Sequence, residues 1–178
     1  KMKKFIVSCS VFAFAFCALN VSAQDTEALQ PKGTWYLGSG DATSLFKMFS
    51  DEGVDVAPFV GYTVADNIAI SLGLNMASNT LNGVDGADDL TISSSQVSLG
   101  AAYFFGDNFY GQAQVVLGNV DNGVDEAMSS TGYGVGLGKY IPVKDMWFIS
   151  PQLNYTAGSN DAGSSSGAEI RIQFGASF

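Results

Sequence analysis

The feature that most constrains this chain is an alternation of period two, in which apolar residues take turns with small or polar ones. It runs through residues 54–62, 68–76, 97–103, 109–115, 132–138, 147–155 and 168–178. Successive side chains of a strand point to opposite sides of a sheet, so each stretch predicts a strand with one greasy and one polar face. The poorer segment 34–40 brings the expected count to eight. Past the first 23 residues no uninterrupted apolar run is long enough for a membrane-spanning helix, which needs roughly 18 or more.

The joints between the stretches alternate in length. Ala65-Asp66-Asn67, Gly106-Asp107-Asn108 and Val143-Lys144-Asp145 are short and rich in turn formers. Between them lie longer segments, 41–53, 78–89, 120–130 and 158–166, rich in Gly, Ser, Asn and Asp. Short turns at one end and long loops at the other are the plan of an antiparallel up-and-down transmembrane β-barrel of eight strands. About ten residues at ~3.3 Å each, tilted by ~40°, cover roughly 25 Å, the height of an outer-membrane apolar band.

One face of the strands carries Val, Ile, Leu, Met and aromatics. The other carries Ser71, Asn75, Gln112, Gln114, Gln152, Asn154, Glu169, Arg171, Gln173 and many glycines. Alternation alone does not say which face is inside, so a soluble lipocalin-like barrel with its greasy face inward stays open. Two features favour the membrane. Trp35, Tyr62, Tyr103, Phe109, Tyr140, Trp147 and Phe178 all sit where strands meet the tight turns or the chain end, as an interfacial girdle requires. Charges are sparse within strands and dense in the long loops.

The first 23 residues are of another kind. Lys1, Lys3 and Lys4 are followed by an apolar run from Phe5 to Leu19, and Val21-Ser22-Ala23 ends in small residues, the layout of a cleavable secretory signal. That run of about 15 residues is short of the ~20 a membrane-spanning helix needs, so cleavage after Ala23 is expected. Cys9 and Cys17, the two cysteines, both fall inside it. Phe16 is too large for the residue ahead of a lipidated Cys17. The mature chain then has no thiol, and its stability has to come from a large core or a closed sheet.

Without the signal, five basic residues face seventeen acidic ones, a net charge of −12. Such a surface repels phosphate backbones, so no nucleic-acid partner is expected. No histidine occurs anywhere, which removes the commonest general base and metal ligand.

The signal segment, the eight alternating stretches and the final Ile170-Arg171-Ile172-Gln173-Phe174-Gly175-Ala176-Ser177-Phe178 together resemble the OmpA/OmpX-type small outer-membrane β-barrel superfamily. The resemblance extends over essentially the whole mature chain and is specific for the class, not for an individual role. It implies an outer-membrane location among lipids and lipopolysaccharide, and recognition by the outer-membrane assembly machinery through the strand ending at Phe178. With no periplasmic domain expected after Phe178, the chain looks closer to OmpX. Barrel enzymes of this size that modify lipid A acyl chains look to rely on a histidine with a serine, which this sequence cannot supply. The expected organisation is a signal over 1–23, a short periplasmic segment over 24–32 and the barrel over 33–178.

An eight-stranded barrel is just wide enough for side chains to fill. Gln112, Gln114, Gln152, Asn154, Glu169, Arg171 and Gln173 are the candidates for a polar network inside it, with Glu169 and Arg171 paired and Asp55 a further possible partner. Gly132, Gly134, Gly136 and Gly138 share the inward face of one strand and predict bulky groups opposite. The acidic stretches 85–89 and 121–126 lack EF-hand spacing, and solvated loop tips are the plainer reading than calcium or a bridge to lipopolysaccharide phosphates. Ser93-Ser94-Ser95 and Ser164-Ser165-Ser166 have no base nearby and are expected in loops or lumen. The expected function is non-enzymatic and free of cofactors, a structural, adhesive or surface-interaction role exerted through four acidic loops. A narrow channel for small or apolar solutes is the alternative.

Overall fold

The structure, a computed structural model, describes residues 28–42, 54–81, 90–121, 127–160 and 163–178. The expected signal, residues 24–27 and the acidic clusters 85–89 and 122–126 lie outside the described residues.

The chain is all-β. Its strands are β1 (Trp35–Ser39), β2 (Val54–Val56), β3 (Pro58–Ala65), β4 (Ile68–Leu81) and β5 (Leu90–Phe105), then β6 (Phe109–Asp121), β7 (Met128–Lys139), β8 (Ile141–Lys144), β9 (Trp147–Asn160) and β10 (Gly163–Ser177). These make eight staves, because β2 and β3 both pair β4 with a break at Ala57, and β7 and β8 both pair β9 with a break at Tyr140. Each stave is antiparallel to the next in sequence. The last meets the first through Tyr36↔Ser177 to Ser39↔Phe174, which closes the sheet into a ring. Reciprocal bonds between the Trp35 and Phe178 backbones, at 2.7 and 3.0 Å, finish the seam.

The tight joints lie where the sequence predicts them. Asn67, Asp107, Asn108 and Asp145 hold φ between 51° and 63°, the left-handed region that Asn and Asp tolerate best among residues with a side chain. The third turn falls on Asp145 and Met146, one residue later than expected.

The strands run further from these turns than the alternation predicts. β4 continues to Leu81, β6 reaches Asp121, and β9 and β10 stay paired up to Asn160 and Gly163. The expected loop over 158–166 is therefore largely strand, and Ser164, Ser165 and Ser166 are exposed strand residues. The reason is chemical: in these extensions both faces are mostly hydroxyls, amides and glycines with a few scattered aliphatics, so no alternation marks them. β5 stays in unbroken register with β4 from Leu90 to Tyr103, with no bulge at Ser93–Ser95. The irregularities fall instead at Thr63/Ala65 and Pro142/Lys144.

Candidate functional site

The outward face carries the apolar side chains. On β4 it reads Ile68, Ile70, Leu72, Leu74, Met76; on β5, Val97, Leu99, Ala101, Tyr103, Phe105; on β6, Phe109, Gly111, Ala113, Val115, Leu117. β9 gives Trp147, Ile149, Pro151, Leu153, Tyr155, and the C-terminal stave Ile170, Ile172, Phe174, Ala176, Phe178. Leu99 is 62% exposed and Ile170 79%. Ile70, Leu72 and Ile172 also lie outside, away from the centre of the ring.

This band has two borders. At the tight-turn end it finishes in aromatics: Trp35 packs on Tyr62 at 4.8 Å between ring centroids, Phe105 stacks between Tyr103 and Phe109, and Trp147 stacks on Phe174. Lys139 lays its Nζ 4.5 Å from the centre of the Phe109 ring. At the other end the same face turns polar, with Ser78 and Thr80 on β4, Ser95 and Ser93 on β5, Asn119 on β6, and Thr131 and Ser129 on β7.

Of the seven expected girdle residues, Tyr140 departs. It sits at the break between β7 and β8, where its ring turns inward onto Phe148, Tyr36 and Phe104 and its hydroxyl lies 2.8 Å from Ser177 Oγ. Tyr140 keeps the parity of the inward-facing Gly134, Gly136 and Gly138, and the register with β9 runs on unshifted from Gly138↔Gln152 to Ile141↔Ile149, so its ring belongs to the inward face. Phe105 and Phe174 join the outward rings.

Inside, three layers follow one another from the tight-turn end. The first is apolar: Tyr36, Ala69, Phe104, Tyr110 and Phe148, with Phe59, Ala102 and Tyr140 against them. Gln30 closes it from below. Its side-chain oxygen accepts from Tyr36 Oη at 2.6 Å, and its backbone exchanges bonds of 2.8 and 3.0 Å with Asn67. The described part of the segment before β1 is thus bound into the floor of the ring.

The second layer is a closed polar network. Tyr110 Oη and Ser150 Oγ share a bond of 2.6 Å, and Gln152 Nε2 donates to the same Tyr110 oxygen at 2.7 Å. Gln112 Nε2 donates to Gln152 Oε1 at 3.0 Å and to Asn154 Oδ1 at 2.7 Å, and Asn154 Nδ2 donates to Gln152 Oε1 at 3.1 Å. Buried amides cost free energy unless bonded, and here they bond one another. The glycines of β7 give them room: side chains of Gln114, Asn154 and Tyr110 occupy the space where Gly134, Gly136 and Gly138 lack one.

The third layer is a cavity of about 750 Å³ toward the loop end. Glu169 and Arg171 line it, with Arg171 Nη2 2.8 Å from Glu169 Oε1. That contact lacks hydrogen-bond alignment, and Oε1 has no other partner among the described residues. The expected polar set is therefore split. Gln112, Gln152 and Asn154 form the network, Glu169 and Arg171 form a separate pair, and Gln114 and Gln173 stand on the cavity wall outside both. The interior is filled only in its tight-turn half, where inward side chains are rings and amides, whereas the wall further up intersperses its longer side chains with Ser, Gly and Ala.

No family model matches the sequence, and no curated protein matches it. The arrangement is read on its own chemistry. Asn75, Gln96, Gln114 and Gln173 on the cavity wall are donors and acceptors together. Glu169 and Arg171 are the charged residues among those lining it, and their charges cancel.

The interior aromatics were missed by the sequence reading, although a signal for them exists. Trp35-Tyr36, Phe104-Phe105, Phe109-Tyr110 and Trp147-Phe148 are aromatic doublets at strand ends. Neighbours on a strand face opposite sides, so each doublet sends one ring outward and one inward.

Proposed function

We propose that the chain is an integral outer-membrane β-barrel without enzymatic activity, a structural or surface-interaction protein whose loop end faces outward from the cell. The observation that carries this reading is the bounded apolar band on the outside of the ring. Along β4, β5, β6, β9 and the C-terminal stave it spans the same eight residue steps. Eight steps at ~3.4 Å, tilted by ~40°, rise about 21 Å, close to the ~25 Å apolar band of such barrels. Every backbone group in hydrocarbon needs a partner, and a closed ring of paired strands supplies them without an edge. In water the same surface would be a contiguous greasy belt far larger than the few hundred Å² that soluble monomers expose.

Within this reading the aromatics at the tight-turn end anchor in the headgroup region. The strand ending at Phe178 is the segment that the assembly machinery reads, and the acidic loops are the surface offered to partners. The cavity favours a second reading, a narrow channel. Against it stand the rings of Tyr36, Phe104, Tyr110 and Phe148 stacked across the floor, with Gln30 beneath them.

Folding from urea tests the membrane reading. Transfer into detergent micelles is expected to give a compact band in unboiled samples that shifts on boiling, and dilution into buffer without micelles to give none. A compact monomer formed in plain buffer overturns the reading. Planar-bilayer recordings separate the two roles: a silent bilayer fits the plugged barrel, and discrete openings fit the channel.

A further inference from the structure

We propose that the loop-end cavity is a binding cup for a small, uncharged, hydroxyl-rich molecule of about disaccharide size. The amides of the ring's interior fall into two groups with opposite states of satisfaction. In the lower network, Gln112, Gln152 and Asn154 bond one another and the Tyr110–Ser150 pair. On the cavity wall, Asn75, Gln96, Gln114 and Gln173 make no side-chain hydrogen bond among the described residues. Each brings a carbonyl acceptor and two N–H donors to the wall of the same cavity. An amide matches a hydroxyl in both roles, so four of them around a cavity suit a ligand with several adjacent hydroxyls.

Charge narrows the class. Glu169 and Arg171 are the charged residues among those lining the cavity, and they neutralise each other at 2.8 Å. An anion or cation gains no net attraction there and loses hydration on entry. A neutral ligand loses less. Phe59 lines the bottom of the cavity and packs on Phe148 beneath, giving the apolar side of a sugar ring a surface to rest on. The volume of about 750 Å³ lies inside the ~300–1,000 Å³ of small-molecule sites. The inference concerns the ring's interior alone, so its failure leaves the membrane reading untouched.

Side-chain amide NMR of the chain refolded in dodecylphosphocholine micelles, whose headgroup is not a sugar, tests it, with maltose as probe and glucose 6-phosphate as the charged comparator. Saturable shifts of the Asn75, Gln96, Gln114 and Gln173 side-chain signals are expected with maltose at millimolar concentration. The phosphate ester is expected to bind less tightly. The Gln96→Leu/Gln114→Leu double variant, checked for the same boiled and unboiled gel shift, is expected to lose affinity about tenfold through two lost hydrogen-bonding groups. Overturning results are no saturable shift with maltose, tighter binding of the phosphate ester, or undiminished binding by a folded double variant. Gln96→Ala and Gln114→Ala, made singly, stand in if the leucine pair does not fold, and an unchanged affinity in both counts against the cup.

Discussion

Gly138 on β7 faces Tyr110 on β6 so closely that a Cβ atom on the glycine would lie 2.5 Å from the tyrosine Oη. The two residues are register partners across the sheet, and the ring of one occupies the side-chain space of the other. This pairing lets Tyr110 reach Ser150 and Gln152 and complete the layer above the floor.

Gly138→Val forces the Tyr110 ring out of that space, and overpacking of this kind costs roughly 1–3 kcal/mol. Urea unfolding of the refolded protein checks it, with Gly167→Ala as the comparison, because nothing lies within 4 Å of a Cβ at Gly167. The comparison variant is expected to change stability by no more than about 0.5 kcal/mol.

Gln152 joins the network by three bonds, one given to Tyr110 and two accepted from Gln112 and Asn154. Gln152→Leu leaves those groups unpartnered in a buried layer and is expected to cost about 2–4 kcal/mol. Gln114→Leu, on the cavity wall, is expected to cost under about 1 kcal/mol, since it breaks no such bond. Equal losses in the two would mean that the two layers do not differ as described.

How much of this was legible in the sequence follows from what alternation can carry. The staves through Ile68–Leu81 and Trp147–Asn160 announced themselves because Ile70, Leu72 and Leu74 alternate with Ser71, Gly73 and Asn75, and Ile149 and Leu153 with Ser150 and Asn154. The glycines at 134, 136 and 138 were readable as space for larger neighbours for the same reason. Strand ends were not readable, because past Met76 or Val97 both faces carry small polar residues and the contrast between them vanishes. Nor was the apolar floor, since aromatics on both faces of one strand end cancel the period-two signal. Tyr140 was misplaced because its position at a strand end outweighed its parity, which it shares with the inward-facing Gly134, Gly136 and Gly138 and which the unshifted register carries through to Ile141. The seven polar candidates all line the interior, and the sequence was silent on which of them touch. That depends on the register between β6 and β9, which are not adjacent in the sheet.

Leu72 stands at the middle of the outward band on β4, and Thr80 lies on the same face beyond its border. Leu72→Arg is expected to destabilise the chain folded in lipid vesicles by about 2–4 kcal/mol, the depth-dependent cost of an arginine at the bilayer midplane, and Thr80→Arg by about 0–1 kcal/mol. Titration of folded protein with denaturant in vesicles measures both. Were the ring's exterior in water, the two substitutions would cost the same.

The central claim is that the outside of the ring meets lipid, and Trp35 and Trp147 test it directly as the chain's two tryptophans, both on the outward aromatic border. Their fluorescence is to be read in vesicles of lipids brominated either near the headgroup or near the end of the acyl chain. Strong quenching by the shallow bromines and weaker quenching by the deep ones is the expected result, the mark of an interfacial belt. Emission that is the same in brominated and plain vesicles would contradict it.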